Sequence, residues 1–195
     1  MKKEELAVEY FKQGYNCAQA VFATYAEELG LPKETALKIA SSFGGGMGKL
    51  REVCGAVSGM FMVAGLKYGY KDADLTQEEK GKHYKLIQEL GLEFKKEFGS
   101  IRCCELLGIN FDGSVNPQLR TKEYYQERPC EKLIEFASDL IEKELGFSLF
   151  DRTINGVRLS SEGRLLFDDI CLLNTAERNI AEKIGNIRGL ICGHV

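Results

Sequence analysis

The chain has 195 residues, of which 44% are hydrophobic and 28% charged, and its net charge is −3. That is ample for a buried core in one domain, or one domain with a small appendage, and the acidic balance excludes a strongly basic nucleic-acid binder. Seven cysteines, an odd number, exclude a complete intrachain disulfide framework. The first residues, Met1-Lys2-Lys3-Glu4-Glu5, lack the apolar stretch of a signal peptide. The most apolar run, residues 53–66, is shorter than a bilayer requires, so no membrane association is expected. The expectation is a cytoplasmic protein whose thiols stay reduced.

In chain order, apolar residues at helical spacing predict a mainly α fold, a helical bundle. Helices are expected over 3–12, over 17–29 with Asn16 as its N-cap, and from Pro32 to about Ser42. Further helices are expected over 54–68 and over 76–98, the latter with Tyr84, Ile87, Leu90 and Phe94 facing inward. A turn at 103–108 and a loop over 112–117 lead to a last helix over 130–145, behind Pro129. Gly44-Gly45-Gly46-Met47-Gly48 is expected to be a loop that needs backbone freedom. Gly55 and Gly59 lie one turn apart and share a helix face, which permits close approach of another helix.

After Gly146 the character changes. Asn155-Gly156 between short apolar runs is a strong hairpin signal, and Ser160 or Ser161 then caps a long helix to about Ile187. Residues 1–145 hold 20 Lys and Arg against 23 Asp and Glu, whereas residues 146–195 hold six of each. The expected organisation is an all-helical four-cysteine domain over 1–145. A wing-like β-hairpin and a long linker or dimerisation helix follow over 146–195.

The cysteines form no Cys-x-x-Cys, so there is no local zinc clasp and no thioredoxin-type pair. Yet Cys17, Cys54 and Cys130 each fall at an expected helix start. Unpaired backbone N–H groups and the positive end of the helix dipole favour a thiolate there. Arg51, Arg102 and Arg128 lie within three residues of Cys54, Cys103 and Cys130. Inert burial as small core residues is the competing reading. Gly46-Met47-Gly48-Lys49 lacks the spacing of a phosphate loop, with Leu50 where a Ser or Thr would hold magnesium. His83 and His194 have no partner at ligand spacing.

Gly14-Tyr15-Asn16-Cys17-Ala18-Gln19-Ala20-Val21, then Phe43 to Gly48, Cys54-Gly55-Ala56-Val57-Ser58-Gly59, Cys103-Cys104-Glu105-Leu106-Leu107-Gly108 and Cys130 resemble the C_GCAxxG_C_C family of redox-active proteins. The resemblance covers about residues 1–145. It implies an all-helical domain with Cys17, Cys54, Cys103 and Cys130 as its characteristic cysteines, and Cys104 as an extra thiol. Four converging thiols fit two chemistries. One is reversible thiol–disulfide exchange with an unknown redox partner. The other is ligation of an iron–sulfur cluster or another thiolate-bound metal for electron transfer or sensing. Gly44, Gly45, Gly46, Gly55 and Gly59 would let backbone N–H groups approach sulfur or a cofactor, or would serve only to pack helices closely.

Residues 145–152 and 156–163 resemble the wing and linker-helix start of LysR-type transcriptional regulators. The first two helices of that family's DNA-binding domain have no counterpart. The would-be recognition helix carries Glu131, Glu135, Asp139, Glu142 and Glu144, which repel phosphates. A redox-linked DNA-binding regulator is therefore a disfavoured alternative. Leu165, Leu166, Ile170, Leu173, Ala176, Ile180 and Ile184 form an apolar stripe, which predicts a homo-oligomer formed through residues 161–187.

Overall fold

The computed structural model describes residues 2–145, 150–153, 156–159, 164, 167, 169, 171–180 and 183–184. The chain divides into two compact units, residues 1–146 and 147–195. The first is mainly helical: α1 (Lys3–Lys12), α2 (Cys17–Ala26), α3 (Lys33–Ser41), α4 (Gly55–Tyr68), α5 (Gln77–Phe98), α6 (Cys103–Leu107), α7 (Lys122–Glu127) and α8 (Cys130–Leu140). Among the described residues no helix is long and apolar enough to cross a membrane.

The α2 helix is central because it is apolar on nearly every face. Its buried residues run Ala18 and then Ala20 through Ala26 without a break. It packs on α1, α3 and α4, and α8 packs on α1, α2 and α4. Small residues set the close α2–α4 spacing. A Cβ on Gly59 would stand 2.9 Å from the Ala18 carbonyl oxygen and 2.9 Å from Val21 Cβ. Phe11, Val21, Val57, Met60, Leu90, Phe94 and Ile134 fill the core.

Asn16 starts α2 as expected. Its Oδ1 accepts from the Gln19 N–H at 2.9 Å, and Gln19 Oε1 accepts from the Asn16 N–H at 3.0 Å. Both side chains also reach α3: Asn16 Nδ2 donates to the Ser41 carbonyl at 3.1 Å and Gln19 Nε2 to that of Leu37 at 3.0 Å.

Three expectations need correction. Tyr84 faces out, 56% exposed, and meets the Tyr70 hydroxyl at 3.0 Å; only Leu90 and Phe94 of the expected inward face are fully buried. The α-helix that begins at Cys130 ends at Leu140 and continues as a π-helical turn, Ile141–Leu145. The helix α7, capped by Thr121 Oγ1 on the Tyr124 N–H, was not anticipated.

In the second unit the wing assignment is not borne out, and of the expected hairpin only two short strands fall among the described residues. Two four-residue strands are described, β1 (Phe150–Thr153) and β2 (Gly156–Leu159), antiparallel with Phe150 opposite Leu159. The expected turn at Asn155 lies outside the described residues. Of the expected helix over 161–187, residues 164, 167, 169, 171–180 and 183–184 are described, and they are helical.

Candidate four-thiol site

Each of the four block cysteines opens a helix. Cys17 is the first residue of α2, Cys54 caps α4, Cys103 is the first residue of α6 and Cys130 the first of α8. The helix start at Cys103 joins the three that spacing had indicated. Hydrogen bonds between distant segments of the chain hold two of these starts together. The Cys54 N–H donates to the Ile101 carbonyl at 2.8 Å, the Cys103 N–H to that of Glu52 at 2.6 Å, and Val53 and Arg102 form an antiparallel bridge.

The segment before Cys54 is built unusually. Gly45, Gly46, Met47, Gly48 and Lys49 all have φ between 58° and 75°, and Arg51 follows at 65°. Five consecutive left-handed residues make a left-handed turn, in which each non-glycine residue costs about 1–2 kcal/mol. Strain of this kind persists where surrounding structure enforces it, and it gathers at functional sites. The turn brings Gly46 against Cys103, where an added Cβ would lie 2.6 Å from Cys103 Cβ.

All four block cysteines line one cavity of about 50 Å³, walled also by Arg120, Tyr124 and Arg128. Their protonation differs sharply. The Cys17 thiol, hydrogen-bonded to Cys130 and buried, is pushed well above its ordinary value. Burial pushes Cys54 up to about 12, against the lowering effect of the Ala56 and Val57 N–H groups. Burial also raises Cys103, opposed by the Arg51 guanidinium. Cys130 alone is lowered, to about 7. Its interaction with Cys17 is the largest cause and outweighs the opposing burial with help from Arg128 and Arg120. A helix start by itself therefore does not favour a thiolate at Cys17 or Cys54. At Cys17 the hydrogen bond to Cys130, then burial, holds the proton; at Cys54 removal of sulfur from water outweighs the helix start, and only Cys130 of the four has enough favourable partners.

The arginines are not distributed as proximity in sequence implied. Arg102 turns outward to Glu52 at 3.1 Å and Glu105 at 3.2 Å, and Arg51 is the cation beside Cys103 rather than beside Cys54. Arg120, which belongs to no motif, was missed by sequence reasoning. It donates to the carbonyls of Phe11 and Tyr15 and lies over the Phe11 ring, 4.6 Å from its centroid.

The glycines divide as well. Gly45, Gly46 and Gly55 line the thiol cavity. Gly44 packs on the Asn16 side chain and lines a neighbouring cavity. Gly59 serves the α2–α4 contact. The six cysteines among the described residues are free thiols, with Cys104 half-buried and Cys171 exposed; Cys192 lies outside the described residues. His83 packs edge-on against the Tyr70 ring, 6.0 Å between centroids, and does not line the thiol cavity, and His194 lies outside the described residues. Among the described residues no group of three or more His, Cys, Asp or Glu side chains is arranged to hold a metal ion.

The family model described as "Putative redox-active protein (C_GCAxxG_C_C)" matches residues 15–144, most of the chain and all four thiol-bearing helix starts. The chain belongs to the C_GCAxxG_C_C family. No curated protein and no solved structure matches it. The likeness of residues 146–195 to LysR-type regulators is not supported by these comparisons.

Proposed function

We propose that this member of the C_GCAxxG_C_C family carries out thiol–disulfide exchange in the cytoplasm, with Cys130 as the attacking thiolate and Cys17 as the resolving thiol. The observation that carries this reading is the unequal Cys17–Cys130 pair: one thiol is held protonated by the same interaction that favours the thiolate of the other. The Cys130 thiolate attacks one sulfur of a disulfide. A new S–S bond forms, the substrate S–S bond breaks, and the first thiolate leaves with the electron pair. Cys17 then attacks Cys130 Sγ and expels the second thiolate, and the Cys17 proton passes to the leaving sulfur. The protein dithiol is oxidised by two electrons and the substrate disulfide is reduced to two thiols.

Cys54 and Cys103 line the same cavity as neutral thiols. Among the described residues no group of three or more His, Cys, Asp or Glu side chains could hold a metal ion. The exposed apolar side chains Leu173, Ile180 and Ile184 support self-association through residues 161–187.

The test is to treat the reduced full-length chain with one equivalent of bis(2-hydroxyethyl) disulfide and map the products by peptide mass spectrometry. A Cys17–Cys130 bond is expected, with the mixed disulfide trapped at Cys130 in Cys17→Ser. An unchanged thiol count would overturn the reading, as would stoichiometric iron or zinc after anaerobic purification.

A further inference from the structure

A second cavity, of about 250 Å³, adjoins the thiol cavity and shares with it the walls formed by Asn16, Gly45, Arg120, Tyr124 and Arg128. Lys49 and Arg51 complete a lining that contains four cations and no Asp or Glu. Their oxygen hydrogen-bond partners are neutral, while Arg51 also acts on the Cys103 sulfur and Arg128 and Arg120 on the Cys130 sulfur. Lys49 Nζ donates to Ser114 Oγ at 2.9 Å and to the Asn116 carbonyl at 2.5 Å. Arg120 donates to the two carbonyls already named, and Arg128 donates to Gln118 Oε1 and lies over the Tyr124 ring.

Arg51 is the decisive member. It is 5% exposed, and its Nε is buried without a hydrogen-bond partner. A buried guanidinium is costly unless an anion compensates it. None of these three arginines forms an ion pair among the described residues. Asp112 lies in the field of Lys49 and Arg51, but its carboxylate is engaged first by the Ser114 N–H at 2.9 Å. Arg51 itself is left-handed, with φ at 65°, a strained conformation for a residue other than glycine.

We infer that the cationic chamber binds a small organic anion whose sulfur enters the thiol cavity, so that the substrate class is an anionic low-molecular-weight disulfide or the thiol it yields. This rests on the thiol–disulfide reading for the sulfur and on the four cations for the charge. The charged group sits among Arg51, Arg120 and Arg128, and the narrower cavity admits the S–S bond. The Cys130 thiolate attacks the nearer sulfur, the S–S bond breaks, and the anionic thiolate leaves with its electron pair.

The experiment has two arms on the reduced full-length chain. The first measures equilibrium binding of suberate, the carbon analogue of 3,3′-dithiodipropionate, with 1,6-hexanediol as the uncharged control. Binding of suberate at least about tenfold tighter than the diol is expected from charge-assisted contacts. Displacement of suberate by inorganic phosphate would assign a phosphate-bearing ligand within the same anion class, and its failure to displace would assign a carboxylate.

The second arm compares Cys130 mixed-disulfide formation with 3,3′-dithiodipropionate, bis(2-hydroxyethyl) disulfide and cystamine. The order anionic, neutral, cationic is expected, and the anionic-to-neutral rate ratio should fall towards one in Arg51→Met. Equal binding of suberate and the diol, or rates indifferent to charge, would overturn the inference. Suberate binding with no reaction at Cys130 would uphold the anion site and overturn the thiol–disulfide reading instead.

Discussion

Replacing Cys17 with alanine removes the strongest influence that holds the Cys130 thiol low. That thiol sits at about 7 against an ordinary 9.0. A difference of about two units means that about half of Cys130 is thiolate near pH 7, rather than about one per cent. A less basic thiolate is also a poorer nucleophile, by about tenfold over two units at a Brønsted slope near ~0.5, so the net advantage near pH 7 is about fivefold. In Cys17→Ala the burial that opposes ionisation remains while the hydrogen-bonding thiol is gone. The alkylation midpoint of Cys130 should climb towards 9. Its rate near pH 7 should fall about fivefold, and its limiting alkaline rate should rise. The assay is iodoacetamide labelling of the reduced chain across this pH range, resolved by cysteine with peptide mass spectrometry. An unchanged Cys130 midpoint would refute the reasoning, as would an identical profile at Cys54, whose thiol ionises only near 12.

Arg128→Met should also raise the Cys130 midpoint, since Arg128 lowers it both through its charge and through a hydrogen bond; the same labelling experiment checks this, and an unchanged midpoint would contradict it. Gly46→Ala should destabilise the chain by about 2–4 kcal/mol in urea unfolding, because an added Cβ meets Cys103 Cβ at 2.6 Å and backbone at 3.0 Å, with φ at +75°. Gly59→Ala should cost about 1–3 kcal/mol by forcing α2 and α4 apart, read as a lowered Tm. Stability should also depend on pH through Cys130. Its acidity is raised on folding, so its contribution is fully present above 9 and is lost as pH falls through about 7. The difference in unfolding free energy between the reduced chain and Cys130→Ser should therefore grow by at most about 3 kcal/mol as pH rises through that window.

What could be read in the sequence was local. The Asn16–Gln19 capping box and the breaks at Gly14 and Gly30 lie within a few residues of the helices they bound, so α1 to α4 were legible to within a few residues. The family blocks carried the identity of the four cysteines. What required three dimensions was not legible. Met47, Lys49 and Arg51 adopt left-handed conformations that no residue preference favours, because the Cys103 and Glu52 contacts impose them. Arg120 reaches the thiols from a segment without a motif. Tyr84 keeps the helical period of Ile87 and Leu90, yet it lies where α5 runs past the core. The acidity of each thiol follows its burial and neighbours, which spacing does not encode. Cys17 and Cys130 both begin helices, yet they shift in opposite directions.

The four helix starts that meet at the thiol cavity come from segments far apart along the chain, and this gives oxidation a topological effect. A bond between Cys17 and Cys130 closes a loop on the order of a hundred residues, and the chain entropy it removes from the unfolded state corresponds to about 5 kcal/mol. Oxidation of that pair would make α2 and α8 covalently one piece. So bonded, the chain would be a clasped ring, resistant to unfolding and to proteases that act on opened states. The reduced chain is an open string whose helices are held by packing and by hydrogen bonds such as that from the Tyr25 hydroxyl to the Ser138 carbonyl at 3.1 Å.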